Sequence, residues 1–276
     1  MVTTMTKKKI AILGCGNIGS AIANGLVKGE IYKPSQLFLT RKSDELLNKF
    51  AGRGFNTSSD NLEAVKKSEI IIICVTPQQL NGLLEEIDNV LVEGKHIVLS
   101  VVTGASIKQI KSKLSKNCPV IRVMPNTAIA IQESMTCISA NDADHHALET
   151  AKVIFDQLGK TVVIHEELMV PATALCASGI AFFLRAIRAA SQGGVEIGFH
   201  AEDALYMAAQ TAKGAASLIV ENGAHPEGEV DKVTTPMGIT ISGLNQMEHA
   251  GFSSSMIKGL VTSAEKAKHL YSESEE

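Results

Sequence analysis

The sequence predicts two classes of structure in succession: an α/β region built on a parallel, doubly wound sheet, then an all-α region. Up to about residue 165, short apolar runs alternate with helical patterns, as parallel strands joined by crossover helices do. Beyond Ile164 the strand signals stop, and Ala-rich stretches with helical spacing take over, punctuated by Gly193, Gly194, Gly198 and Gly223. The chain is therefore divided into residues 1–165 and 166–276.

In the first region the strand candidates are Lys9–Leu13, Gln36–Thr40, Ile70–Val75, His96–Val102, Val120–Val123, Met135–Ser139 and Val162–Ile164. The run from Ile70 to Val75 is apolar without alternation, as expected of a strand covered on both faces. A helix is expected from Ile18 to Val27. Asn141 or Asp142 can cap another, whose Ala147, Ala151, Ile154 and Leu158 recur at helical spacing until Gly159 ends it. The second region offers helices at Pro171–Gly193, Ala201–Asn222, Thr240–His249 and Ser253–Tyr271, with a frayed tail from Ser272 to Glu276. Leu168 to Leu184 is largely apolar, but it holds Pro171, Thr173, Ser178 and Gly179 and runs into Arg185 and Arg188. A buried helix is expected there rather than a bilayer span.

Composition narrows the function. A chain of 276 residues, 45% hydrophobic and 20% charged, can build two cores. A net charge of −3 supplies no basic field for nucleic acid or anionic lipid, and with no Trp there is little for bases to stack on. The five cysteines (Cys15, Cys74, Cys118, Cys137, Cys176) follow no metal-ligand or disulfide spacing, so no metal is expected. Met1 to Lys9 leads into too short an apolar run for a signal peptide. A cytoplasmic protein with reduced thiols is the expectation. Ala-rich helices in a small domain leave apolar faces to cover, which points to self-association.

Directly after the first strand stands Gly14-Cys15-Gly16-Asn17-Ile18-Gly19, a G-x-G-x-x-G opening a helix. In that context Gly14 permits the turn, Gly16 lets a pyrophosphate approach, and Gly19 lets helix pack on strand, while helix-start amides face the phosphates. This is the dinucleotide fingerprint of a Rossmann-type domain. At the end of the second strand, where a ribose 2′-hydroxyl calls for a carboxylate, the chain has Arg41, Lys42 and Ser43. The pair of cations and the hydroxyl suit a 2′-phosphate, favouring NADPH, with NADH as the alternative. Val75, Thr76 and Pro77 after one strand, and Val101, Val102 and Thr103 after the next, should reach the same crevice.

A further motif is specific. Asp231 to Leu244 reads Asp-Lys-Val-Thr-Thr-Pro-Met-Gly-Ile-Thr-Ile-Ser-Gly-Leu, which resembles the C-terminal signature of pyrroline-5-carboxylate reductases, D-x-V-[ST]-[ST]-P-G-G-x-T. Arg122-Val123-Met124-Pro125-Asn126-Thr127 is similar to that family's R-V-M-P-N-T segment. The resemblance implies NADPH-dependent reduction of the imine 1-pyrroline-5-carboxylate to L-proline, the last step of proline biosynthesis. It also implies a dimer, with larger assemblies of dimers, and Asn61 on the adenosine side of the cofactor. Substrate would be held by Thr235, Gly238, Thr240 and Gly179, with the Thr240 hydroxyl at the imine nitrogen. Pro236 is expected to start a helix whose first amides bind the carboxylate.

Three departures from the family pattern stand out. Ala177-Ser178-Gly179-Ile180-Ala181-Phe182 replaces G-S-G-P-A-Y, Met237 replaces a glycine, and Thr76 replaces a lysine. Within enzymes, the alternatives are a related imine reductase or a 3-hydroxyacid dehydrogenase, although Lys213 and Lys232 lack the context of a dehydrogenase lysine. Outside enzymes, the alternative is a catalytically silent nucleotide-binding regulator. His145 and His146 read as a solvated helix start, and His225 before Pro226 as a loop anchor.

Overall fold

The computed structural model describes residues 8–42 and 44–268. Ser43, the end of the last expected helix and the tail from Ser272 lie outside the described residues. Eight strands form one sheet in the order β3-β2-β1-β4-β5-β6-β7-β8. They are β1 Ile10–Leu13, β2 Leu37–Thr40, β3 Asn56–Ser58, β4 Ile70–Ile73, β5 Ile97–Ser100, β6 Val120–Met124, β7 Ser134–Ser139 and β8 Gly159–Val163. β1 sits centrally, with Ile10 level with Leu37 on one side and with Ile70 on the other. Seven strands match expected runs. The eighth, β3, is Asn-Thr-Ser, an edge strand with no apolar residue to announce it.

The sheet is not parallel throughout. β7 runs antiparallel to β6, placing Val123 opposite Ile138, and β8 then runs parallel to β7. The expected parallel sheet holds except for this one reversal, which has a geometric reason. Residues 125–133, mostly a 3-10 turn at Thr127–Ile131, connect β6 to β7, and a parallel crossover needs about a dozen residues or more.

Helices cover both faces. They are α1 Asn17–Lys28, α2 Asp44–Ala51, α3 Asn61–Lys66, α4 Pro77–Asp88, α5 Ile107–Ser112 and α6 His145–Phe155. Along β4 the side chains alternate between two cores. Ile70 and Ile72 pack with Ile22 and Leu26 of α1 and Ile154 of α6. Ile71 and Ile73 pack with Leu80 and Leu84 of α4 and Ile110 of α5. All four isoleucines are fully buried, each contributing about 1.5–3 kcal/mol. The start of α6 differs from the expected cap: Asp142–Asp144 forms a 3-10 turn, and the helix begins at His145. Leu158 lies in a separate 3-10 turn, and Gly159, at φ +142, opens β8.

The remaining helices are α7 Met169–Ala172, continued by a π turn at Thr173–Ser178, then α8 Gly179–Glu196, α9 Ala201–Asn222, α10 Pro226–Val233, α11 Ile239–His249 and α12 Phe252–Ala267. α10 was not expected. It is short and polar, and its start is the His225-Pro226 pair. The chain separates into two compact units, one running to Ser178 and including the stretch from Ser263, the other spanning Gly179–Thr262. Within the second unit α9 packs on α8, and Gly194 permits the contact: a Cβ there would stand 3.0 Å from that of Ala204.

The buried-helix expectation for Leu168 to Leu184 holds only at its start. Met169, Ala172, Thr173, Ala174 and Gly179 are buried, whereas Leu175, Phe183 and Leu184 are exposed. By length and composition alone Glu166–Glu196 could cross a bilayer. Tyr206, Val220, Ile257 and Val261 on later helices are exposed as well, so the helical unit presents much uncovered apolar surface.

Candidate active site

The glycine-rich turn joins β1 to α1 as the motif requires. Gly14 adopts φ +89, and a Cβ on it would meet Val75 Cγ1 at 2.8 Å and the Cys74 carbonyl oxygen at 2.9 Å. At Gly16 a Cβ would have only one neighbour, at 4.0 Å, so this backbone lies open to an incoming group. At Gly19 it would stand 2.9 Å from the Gly14 carbonyl oxygen, the close packing assigned to the third glycine. α1 has no side-chain cap and no acid in its first turn, leaving the positive end of the helix free for an anion. These features fit a dinucleotide pyrophosphate.

Beside the turn lies a cavity of about 740 Å³. It brings together Gly14, Gly16, Arg41, Lys42, Asn61, Val75 and Thr76 from the sequence-derived set. Arg41 Nη1 donates to the Cys15 carbonyl oxygen at 3.0 Å, tying the end of β2 to the glycine turn. The Gly14 and Cys15 amides both donate to the Thr40 carbonyl oxygen, at 3.2 and 2.8 Å. Thr40 Oγ1 in turn donates to Asn61 Oδ1 at 2.6 Å.

Other expected residues do not line this cavity. Cys15 turns its thiol into the core, 3.3 Å from Ser20 Oγ, where burial pushes its pKa up. Asn17, Ile18 and Gly19 form the first turn of α1. Pro77 is the first residue of α4, after the cap Thr76. Val101 and Val102 pack into the two cores, and Thr103 lies outside the lining. Sequence reading missed Gln79, Gly82 and Glu86, which line the cavity from one face of α4. Their i, i+3, i+7 spacing after the Val75–Pro77 loop was the available signal.

The R-V-M-P-N-T segment serves as a structural pin. Arg122 is 4% exposed and donates through Nη1 to Glu166 Oε1 at 3.2 Å. The same oxygen accepts from the Ile107 amide at 2.6 Å. Burial lowers the Arg122 pKa, opposed by the Glu166 charge. Asn126 Nδ2 donates to the Cys176 carbonyl oxygen at 3.2 Å, fastening the π turn to the end of β6.

In the helical unit the Thr235–Thr240 loop differs from expectation in one respect. Pro236 does not start a helix. It occupies the second position of a turn closed by the Gly238 amide donating to the Thr235 carbonyl oxygen at 2.8 Å, with Met237 third at φ +58. A proline followed by a left-handed residue is the type II arrangement, which favours glycine where Met237 stands. α11 begins one residue after Gly238, with neither a side-chain cap nor an acid in its first turn. A Cβ on Gly238 would strike Thr235 Oγ1 at 2.6 Å, so glycine is required here. Thr240 is in the first turn of α11 and partly buried, while Met237 projects fully into solvent. Gly179 is buried at the start of α8.

His145 and His146 are exposed, and no metal-ligating cluster occurs among the described residues. His225 caps α10, its Nδ1 accepting from the Glu227 amide at 3.3 Å. Lys232 pairs with Glu229 at 2.6 Å.

A glycine turn opening onto a cavity with a basic rim at β2, in a mostly parallel sheet, defines the class of dinucleotide-binding proteins of Rossmann type. Comparison with known proteins gives the particular family. Residues 166–270 match the family model for pyrroline-5-carboxylate reductase dimerisation, and residues 9–104 that for coenzyme F420-dependent NADP oxidoreductases. Pyrroline-5-carboxylate reductase 1 of Dictyostelium discoideum is 53% identical over 97% of this chain, although the chain spans only 50% of that protein's length. Pyrroline-5-carboxylate reductase 2 of the same organism is 51% identical, with 97% and 95% of the two chains covered. The crystal structure of Plasmodium falciparum pyrroline carboxylate reductase with NADP bound superimposes with a TM-score of 0.88 at 26% identity, covering 97% of this chain and all of the other. The chain belongs to the pyrroline-5-carboxylate reductase family.

Proposed function

We propose that the protein reduces 1-pyrroline-5-carboxylate to L-proline with NADPH, completing proline biosynthesis in the cytoplasm. The observation that carries this reading is the pairing of the glycine turn and its cavity with the Thr235–Thr240 loop on one chain of this family. The nicotinamide supplies the hydride when bound. Gly14, Gly16 and the first amides of α1 hold the pyrophosphate, and Arg41 and Lys42 hold the 2′-phosphate. Asn61 meets the adenosine ribose, and Val75 and Thr76 complete the wall. The uncapped amides of α11 take the substrate carboxylate, assisted by Thr235 and the Gly238 turn. Gly179, at the start of α8, contributes to the substrate site. The Thr240 hydroxyl hydrogen-bonds to the imine nitrogen. Because a protonated imine is already a good electrophile, orientation supplies much of the rate.

In this reading residues 1–165 form the nucleotide domain, and residues 166–276 bind substrate and dimerise. The exposed apolar side chains of α8, α9 and α12 support such an interface, as does the dimerisation model matched by this region. Each active site combines one subunit's nucleotide domain with another's Thr234–Thr240 loop, and dimers assemble further. No nucleic acid or membrane takes part. The test is NADPH oxidation with 1-pyrroline-5-carboxylate against 3-hydroxyacids. Turnover of the imine alone supports the proposal, and nucleotide binding without turnover of either would overturn it in favour of a silent regulator.

A further inference from the structure

The rule that a carboxylate marks a 2′-hydroxyl site looks at the end of β2, where this chain has Arg41 and Lys42. A carboxylate nevertheless reaches the same cavity from another element. Glu86, on the exposed face of α4, lines it together with both cations and Asn61. Asn61 Nδ2 donates to Glu86 Oε1 at 3.2 Å and to Oε2 at 3.0 Å. On its other side Asn61 accepts from the buried Thr40 hydroxyl. These contacts fix the amide: turning it over would set Asn61 Oδ1 against the Glu86 carboxylate. Glu86 itself joins no ion pair within 4.0 Å among the described residues.

We propose that Glu86 is a cofactor-specificity residue whose carboxylate, held at Asn61, narrows this enzyme's preference for a 2′-phosphorylated dinucleotide over the 2′-hydroxyl form. The inference rests on the nucleotide site proposed above. A 2′-hydroxyl approaching Asn61 can donate to Glu86. A 2′-phosphate in the same place brings close to two negative charges toward a third and competes for the Asn61 amide donor. Arg41 and Lys42 draw the phosphate in while Glu86 opposes it, so the site accepts both nicotinamide dinucleotides. Arg41 has one of its donors committed to the Cys15 carbonyl, which leaves less of its guanidinium to offset Glu86.

The test is direct binding of NADPH and NADH to the parent, to Glu86→Gln and to Glu86→Ala, by calorimetry or by enhancement of the reduced nicotinamide's fluorescence. Gln keeps an acceptor for Asn61 and removes the charge. The ratio of Kd for NADH to Kd for NADPH should rise on the order of tenfold in Glu86→Gln, chiefly through tighter NADPH. The gain should shrink as salt is added. Glu86→Ala should raise the ratio as well, with some loss for both cofactors as Asn61 is freed. An unchanged ratio in both variants, or equal losses for both cofactors with Glu86→Gln silent, would overturn the proposal and leave Glu86 as a prop for Asn61. If the parent bound neither nucleotide, the nucleotide site itself would fall, an outcome plainly separate from an unchanged ratio.

Discussion

The sulfur atoms of Cys137 in β7 and Cys176 in the π turn stand 3.7 Å apart and share a hydrogen bond. With Cys137 as donor, the bond favours a thiolate on Cys176. It lowers the Cys176 pKa against the opposing effect of burial and raises that of Cys137. Cys137 is 3% exposed and Cys176 is partly open to solvent.

Cys176 should therefore be the first of the five cysteines to react with iodoacetamide. Its alkylation rate should rise with pH through a midpoint below the ordinary thiol value of about 8.5. Cys137→Ala removes the donor and should shift that midpoint upward. Mass-spectrometric labelling kinetics check both, and Cys176 reacting in step with the other thiols at an ordinary midpoint contradicts the arrangement.

Arg41→Ala should weaken NADPH about tenfold to a hundredfold, since hydrogen bonds to a charged group contribute about 1.5–3 kcal/mol. NADH should lose less, through slackening of the glycine turn once the bond to the Cys15 carbonyl is gone. Titration with each cofactor decides the matter, and equal losses would show that Arg41 serves only the turn.

Thr240→Ala should lower kcat/KM for imine reduction by about a hundredfold, the low end for positioning and acid–base contacts. NADPH affinity should barely change, because the nucleotide cavity belongs to the other compact unit. Thr240→Ser keeps a hydroxyl and should retain most activity. Parent-like turnover by the alanine variant would leave Thr240 a helix-start residue, with the proton coming from water or arriving with the substrate.

Met237 offers a purely conformational test, because its side chain is wholly exposed and touches no core. At φ +58, a β-branched residue suffers more than an unbranched one. Met237→Val should destabilise the protein by about 1 kcal/mol, whereas Met237→Gly should hold or raise the melting temperature. Equal stability of the two variants would contradict the left-handed turn.

The sheet was legible because long apolar runs such as Ile70 to Ile73 leave no other place to bury them. What escaped notice carried no such pattern. β3 is polar, α10 is eight residues long, and the reversal at β7 is set by connection length rather than by strand composition. At the site, glycine spacing announced the turn between β1 and α1. Glu86 did not announce itself, because its place depends on how α4 lies over the cavity. The Thr234–Pro236 run suggested a helix start. Only backbone geometry reveals that Met237 occupies a glycine's conformation and that α11 starts after Gly238.

The two margins of the sheet bear on how copies of this chain avoid adhering to one another. An open strand edge is a template for adding further strands, and long apolar edges invite fibrous stacking. β3 consists of three polar residues, and β8 is only five residues long, begun by a glycine in a conformation other residues rarely adopt and guarded by the exposed Lys160. Val162 and Val163 are the apolar weak point of that margin, 42% and 48% exposed. A short strand beside a lysine makes a poor template, so uncontrolled growth through the sheet is discouraged, and the helices are left to govern which copies meet.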